Sequence, residues 1–463
     1  MEQRRSMEEW QRWAVRVVVL GMIVAVVIPN LPAEYLYPIK VRVAVQLFGW
    51  QGLANIVRDQ AGERLLGQKL TKSRAAFHDF LDVLELYDAE FLSPSRAITT
   101  TADIADGVAH GVGLLASAAE LYFFDDVTRP RFRRYVDADR KFLGDNPDTH
   151  YYMASLDPHK YDYEFTGCLL QETYFSLAVY ESNGVGGYPS RSSSDLNDEQ
   201  LSLDENRCFR VWLSQSVTSP SGEEVLLLEE SYTLITRHYF EHEQTAAIDP
   251  SVEVSLSIRA VPKAGASAVE EDLDARVARK LETMTNFFHS HSTNRSTVDP
   301  AMAPSWFSLV PNVLGKPDMH QVRHGSKTGG AGAPDIAYSA GPWQLEPHQG
   351  LLIQGIVPTC RFFNIVLWNR FLQTLDYQQF PVSANRVQLG LNVADPWSTF
   401  EIVLSHTRPP RGHPYANTFW LYTEERPSGT IFIRYVLPDG VVSPSPHNGE
   451  FVPAPNATVI SIA

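Results

Sequence analysis

Apolar positions along this chain change their spacing twice, and each change marks a region. The first long apolar run is WAVRVVVLGMIVAVVIPN, Trp13 to Asn30, with an unbroken core from Val17 to Pro29. That core is shorter than the roughly 20 residues a spanning helix uses. Trp10 and Trp13 nevertheless supply an aromatic belt, Arg16 can snorkel, and Leu31, Tyr35 and Tyr37 extend the far side. The run therefore predicts a single transmembrane helix, with a cleaved signal peptide or a buried core helix as the alternatives. Arg4, Arg5, Arg12 and Arg16 precede it, against Lys40 and Arg42 behind it. This asymmetry keeps the N-terminus in the cytosol and the bulk of the chain outside it, extracytoplasmic or in an organelle lumen or intermembrane space.

Spacing then becomes helical. Phe77, Phe80, Leu81, Leu84 and Tyr87 share a face behind an N-cap at Thr71, and Ile104, Val108, Val112 and Leu115 share another behind Thr101. A shorter helix is expected over about 131–142. From about residue 146 the pattern alternates: YDYEFTGCLL, YFSLAVYES, CFRVWLSQS, EVLLLEESYTLITRHYF and SVEVSLSIRAV read as antiparallel strands between turns. One further helix, about 268–289, carries Leu273, Val277, Leu281 and Phe288 behind a Ser267–Glu270 capping box. A polar loop through GSKTGGAGAPD lacks P-loop spacing. GLLIQGIVP, RFFNIVLWN, STFEIVLSH and GTIFIRYVL then resume the strand pattern. In RFFNIVLWN, Phe363, Ile365 and Leu367 share one face and Asn364, Val366 and Trp368 the other.

These readings divide the chain into a tail and anchor (1–38), a helical region (39–145), a first β region (146–262), a helix and long loop (263–340) and a C-terminal β region (341–463). The class is mainly β with a helical N-terminal third, the two β regions packing together as one antiparallel sandwich behind the anchor. Composition adds limits: 463 residues, 44% hydrophobic and 20% charged, describe an ordinary globular chain. A net charge of −15 argues against nucleic acid as a partner. Expected partners are membrane lipid through residues 13–30 and either proteins of a membrane complex or a small ligand.

Three stretches, GDNPDTHYYMASLDPHKYDYEFTG (Gly144 to Gly167), DYQQFPVSANRVQL (Asp376 to Leu389) and FEIVLSHTRPPRG with ANTFWLYTEERPSGTIFIRYVLPDG (Phe400 to Gly440), resemble the bacterial family catalogued as domain of unknown function 1214. The resemblance spans most of the chain after about residue 95. It implies an antiparallel sandwich of jelly-roll type with helices around it, and no activity.

Candidate chemistry is sparse. No G-x-S-x-G, H-E-x-x-H or G-x-G-x-x-G motif occurs, and no cofactor or metal is implied. His238 and His242 sit four apart on a strand, about 13 Å from each other, too far for one ion. Asp145 and Asp148 in GDNPD suit a turn better than calcium. Cys168 and Cys208 fall on neighbouring strands and form either one disulfide or, with Cys360, a set of buried thiols. What remains is a polar and aromatic set near the C-terminus. His406 ends the core-facing row of Phe400, Ile402 and Leu404, and Arg434 interrupts the face of Phe432 and Val436. Arg434 is either ion-paired with Glu401 or Asp376, or binds a ligand. Trp368, Asp376, Tyr377, Arg386 and Trp420 are the further ligand-binding candidates. The function expected is a membrane-anchored, non-catalytic binding or assembly subunit. The alternative is a hydrolase or lyase on a glycan or lipid, with His406 as base and Arg434 as electrostatic stabiliser, beside Glu401.

Overall fold

The computed structural model describes residues 71–182, 184–220, 222–265, 271–292, 303–319, 332–392 and 395–462. The chain divides into two compact units, one made of residues up to Leu84 with 271–281 and the other of the remainder. In the smaller unit, Asp274 accepts hydrogen bonds from the Lys72 and Ser73 backbone N–H groups and from the Ser73 hydroxyl. It thereby caps the first turn of helix α1 (Lys72–Leu86).

The larger unit holds eighteen strands among the described residues. The first nine are β1 (Arg133–Val136), β2 (Thr149–Ser155), β3 (Tyr161–Cys168), β4 (Tyr174–Ser182), β5 (Pro189–Asn197), β6 (Cys208–Ser214), β7 (Glu224–Leu227), β8 (Ser231–Tyr239) and β9 (Ser255–Pro262). The second nine are β10 (Asp318–Met319), β11 (Ile336–Gln344), β12 (Gln349–Val357), β13 (Phe362–Trp368), β14 (Ser383–Asn385), β15 (Ser398–Ser405), β16 (Phe419–Tyr422), β17 (Ser428–Val436) and β18 (Asn456–Ser461).

Each set of nine closes on itself. A sheet ordered β1-β2-β8-β4-β5 lies over one ordered β7-β6-β3-β9, and Phe165, Leu177, Val211, Leu213 and Leu234 fill the space between them. The second set forms β10-β11-β17-β13-β14 over β16-β15-β12-β18, closed on Leu351, Ile365, Ile402, Leu404 and Ile433. Adding nine to every strand number of the first sandwich reproduces the second. Even the parallel exceptions correspond, β6 with β7 and β15 with β16. The two five-stranded sheets meet through an aromatic layer that includes Tyr174, Tyr239, Tyr338, Phe362, Trp368 and Phe432.

Several expectations are corrected here. The β regions do not combine into one all-antiparallel jelly roll; each is a sandwich with a parallel pair of its own. Among the described residues only three α-helices occur, α1, α2 (Thr101–Ala118) and α3 (Leu273–Ser290), and none is long and apolar enough to cross a membrane. The expected transmembrane helix is therefore not found; the run at 13–30 on which it rested lies outside the described residues, as does the Ser267–Glu270 box. The expected helix at 131–142 is instead strand β1, because Arg133 to Val136 pair with β2. Helix α3 buries Ala278, Leu281, Met284, Phe287 and Phe288, while Leu273 is exposed.

Helix α2 turns the other way from its aliphatic stripe. Ile104, Val108 and Val112 face solvent, whereas Gly107, Gly111 and Leu114 are buried. The glycines decide this: a Cβ on Gly107 would come within 2.4 Å of Leu92, and one on Gly111 within 2.7 Å of the Tyr87 ring. Close approach lets the Tyr87 hydroxyl donate to the Gly107 carbonyl at 2.6 Å. Thr100, rather than Thr101, caps the helix through the Asp103 N–H.

Candidate functional site

Alternation on β17 sends Ile431, Ile433 and Tyr435 into the second sandwich and Phe432, Arg434 and Val436 toward the first. Arg434 is thus carried into the seam, where it is 4% exposed. Its Nη2 donates to the Gly144 carbonyl at 2.7 Å. The guanidinium lies 5.1 Å from the Trp368 ring centre and 4.7 Å from that of Phe432, within cation–π range. Its Nη1 is buried with no hydrogen-bond partner among the described residues.

The segment Gly144-Asp145-Asn146-Pro147-Asp148 builds the opposite wall. Gly144 has φ +75°, and a Cβ there would stand 2.7 Å from the Trp368 ring, so the turn and the close approach both require glycine. The Asp145 carbonyl accepts from Trp368 Nε1 and Thr374 Oγ1, each at 2.9 Å, and its carboxylate accepts the Thr374 N–H. The Asp148 carboxylate accepts from the amides of Asn364 and Asn385, and burial pushes its pKa up to about 6. GDNPD is therefore a buried clamp between the sandwiches, and no group of three or more His, Cys, Asp or Glu among the described residues is placed to hold a metal.

Between these walls lies a cavity of about 220 Å³, lined among others by Tyr151, Arg237, Tyr239, Tyr338, Trp368 and Arg434. Its second arginine, Arg237 on β8, is 3% exposed and donates to the Tyr180 hydroxyl at 2.8 Å. Burial pushes the Tyr338 hydroxyl up to about 12, so it stays protonated at neutral pH.

The other predicted candidates do not gather here. His406, just past β15, shares its Nδ1 with Thr423 Oγ1 at 2.5 Å, on the far side of the second core from Arg434. Glu401 is exposed on the outer sheet, accepting from Gln354 and Thr418. Trp420 is half-buried on that sheet, with Nε1 donating to Ser405. Asp376 accepts from Gln378 and Gln379 in its own turn. Tyr377 is buried beneath the Lys141 ammonium, 4.2 Å from its ring centre. Arg386 is spent on a buried pair with Glu241, at 2.6–3.0 Å, and on the Cys360 and Arg361 carbonyls. Neither Glu401 nor Asp376 pairs with Arg434.

Sequence reading passed over Arg237, Tyr151 and Tyr338. A signal for them exists: Pro147-Asp148-x-x-Tyr151 recurs as Pro334-Asp335-x-x-Tyr338, each motif opening the strand that pairs its tyrosine with a seam arginine. Elsewhere, Cys168 and Cys208 are joined as a disulfide and Cys360 is free. His238 meets buried Glu172 at 2.9 Å.

Fold and seam define a protein of two β-sandwiches on one strand plan. A solved structure of an uncharacterized protein from Burkholderia cenocepacia is similar, with a TM-score of 0.63 at 23% identity, over 84% of this chain and 98% of that one. The VPA0106 protein from Vibrio parahaemolyticus aligns over 76% of this chain and 98% of its own, at 12% identity and a TM-score of 0.44. No protein-family model and no curated protein matches the chain.

Proposed function

We propose that this is a non-catalytic binding protein whose ligand sits in the inter-sandwich cavity with an acidic group on Arg434. One observation carries the reading: a guanidinium 4% exposed, aimed into a cavity, whose Nη1 has no hydrogen-bond partner among the described residues. A buried charge left so is costly unless a ligand completes it. Aromatic walls with a few convergent polar groups are the usual makeup of small-molecule sites, and 220 Å³ is below the ~300–1,000 Å³ of drug-sized ones. The hydrolase or lyase alternative loses support because His406 and Arg434 flank opposite sides of a core. The Cys168–Cys208 disulfide supports residence in an oxidising compartment. The resemblance to domain of unknown function 1214 fits within this proposal, since its Gly144–Gly167 stretch supplies the clamp.

Thermal shift with short carboxylic acids tests the reading. We expect a saturable rise in Tm for the parent and none for Arg434→Met, whose own stability stays within about 1 kcal/mol of the parent because the side chain's hydrogen bond is to the Gly144 carbonyl and not to a carboxylate. A loss of about 3–5 kcal/mol on that substitution, or an undiminished ligand shift, overturns it.

A further inference from the structure

Arg434 does not open onto an aliphatic pocket. Of the seventeen described residues that line the cavity nine are aromatic, and only three, Val136, Leu143 and Leu372, are aliphatic. The rings are densest beside the arginine. Between ring centres, Phe432 stands 4.1 Å from Trp368, 5.0 Å from Tyr338 and 5.6 Å from Trp306, and Trp306 meets Tyr338 at 5.2 Å. Trp368 and Phe432 are also the two rings in cation–π contact with the guanidinium. A carboxylate held at Nη1 therefore brings the rest of its molecule among rings. Ring faces and edges carry opposite partial charge, so a ring placed there gains attraction beyond the apolar area it buries.

We infer that the ligand is a monocyclic aromatic carboxylate, its acid group on Arg434 and its ring packed among Trp306, Tyr338, Trp368 and Phe432. The inference rests on the proposed function above and names the class of acid. Size agrees with it. An apolar cavity of about 150 Å³ takes up benzene, so the 220 Å³ here has room for one ring with its carboxylate. Charge agrees as well. Asp145 is the only Asp or Glu among the described lining residues; its carboxylate accepts the Thr374 N–H, and Lys141 is the foremost charge acting on it. Wall tyrosines add no anion, since burial pushes Tyr338 up to about 12 and raises Tyr151 and Tyr239 too. Arg237 already donates to the Tyr180 hydroxyl and lies 5.6 Å from that ring, so one acid group is assigned, to Arg434. A saturated acid of the same size fills the space without the ring–ring attraction.

Titration calorimetry on the full chain compares benzoate with cyclohexanecarboxylate, which carries the same heavy atoms on a saturated ring, and with benzyl alcohol, which lacks the charge. Burial of apolar area alone favours the saturated acid, the larger and more apolar of the two. The expected result is the reverse, with benzoate about tenfold tighter, as two ring–ring contacts would give. Arg434→Met should abolish binding of both acids, and Phe432→Leu should narrow the ratio between them. A ratio below about threefold in the parent, or an unchanged ratio in a folded Phe432→Leu, overturns the aromatic class while leaving an acid site in place. If neither acid binds, if Arg434→Met binds both undiminished, or if benzyl alcohol binds as tightly as benzoate, the proposed function itself fails. Should Phe432→Leu lose its fold by circular dichroism, the parent's ratio decides alone.

Discussion

The first and second sandwiches follow one strand plan yet secure it differently. Across β3 and β6 the first is stitched by Cys168–Cys208; the paired positions in the second, on β12 and β15, are Ile356 and Thr399. Where each sandwich reaches over to the other, the contacts also diverge. Glu241 of the first holds Arg386 of the second in a pair whose side chains are both 4% exposed. Arg361 of the second reaches Asp198 and Glu199 of the first with its own side chain 38% exposed. A shared topology thus survives different covalent and electrostatic fastening, because the hydrogen-bond ladders and the inward aliphatic rows carry it.

The comparison can be broken most forcefully at the buried pair. Glu241→Ala strands Arg386 and should cost about 3–5 kcal/mol in urea unfolding. A loss below 1 kcal/mol would show that the two ends of the seam are fastened alike. Replacing both Cys168 and Cys208 by Ser should cost about 2–4 kcal/mol, since the bridge closes a separation of 40 residues. Protease digestion should then open the first sandwich before the second; cleavage first between β10 and β18 would refute the assignment.

Asp148 and Asp335 give a subtler contrast. Burial raises both to about 6 from an ordinary 3.8. Between those values the folded protein binds protons that the unfolded chain has lost, so stability falls as pH rises from about 4 to 6. Asp335→Asn should remove its share, making the variant about 1–3 kcal/mol better relative to the parent at pH 7 than at pH 4. A pH-independent difference would contradict the raised value. The smallest effect is expected at the exposed fastening: Arg361→Ala should cost no more than about 1 kcal/mol.

Much of this was legible in the sequence. Alternation located most strands, and on β13 it sorted Phe363, Ile365 and Leu367 from Val366 and Trp368, which enter different cores. Periodicity says nothing about which strand pairs with which, so it does not separate one sandwich from two. The recurrence of P-D-x-x-Y, and of Asn197-x-x-Gln200 as Asn385-x-x-Gln388, marks the duplication; in both turns the Gln side chain accepts the Asn N–H at 2.9 Å. Arg434 stands out in the sequence because a charge interrupts the apolar row of Phe432 and Val436. Arg237 broke one as well, but Thr236 and His238 beside it hid the contrast. Helix α2 misled because its hydrophobic face and its close-packing face differ, and backbone proximity at Gly107 and Gly111 outweighed the aliphatic stripe.

The clamp at Asp148 and its counterpart at Asp335 shows what joining two like sandwiches in one chain permits. In an isologous dimer every contact occurs twice, and any substitution alters both copies together. Here Asp335 accepts from the Tyr174 hydroxyl, while the position matching Tyr174 is Phe362, which has none. Asp148 is served instead by Asn364 and Asn385. Covalent fusion releases the seam from self-complementarity, so its two ends can be tuned separately and an unsymmetrical guest can be held in a single orientation.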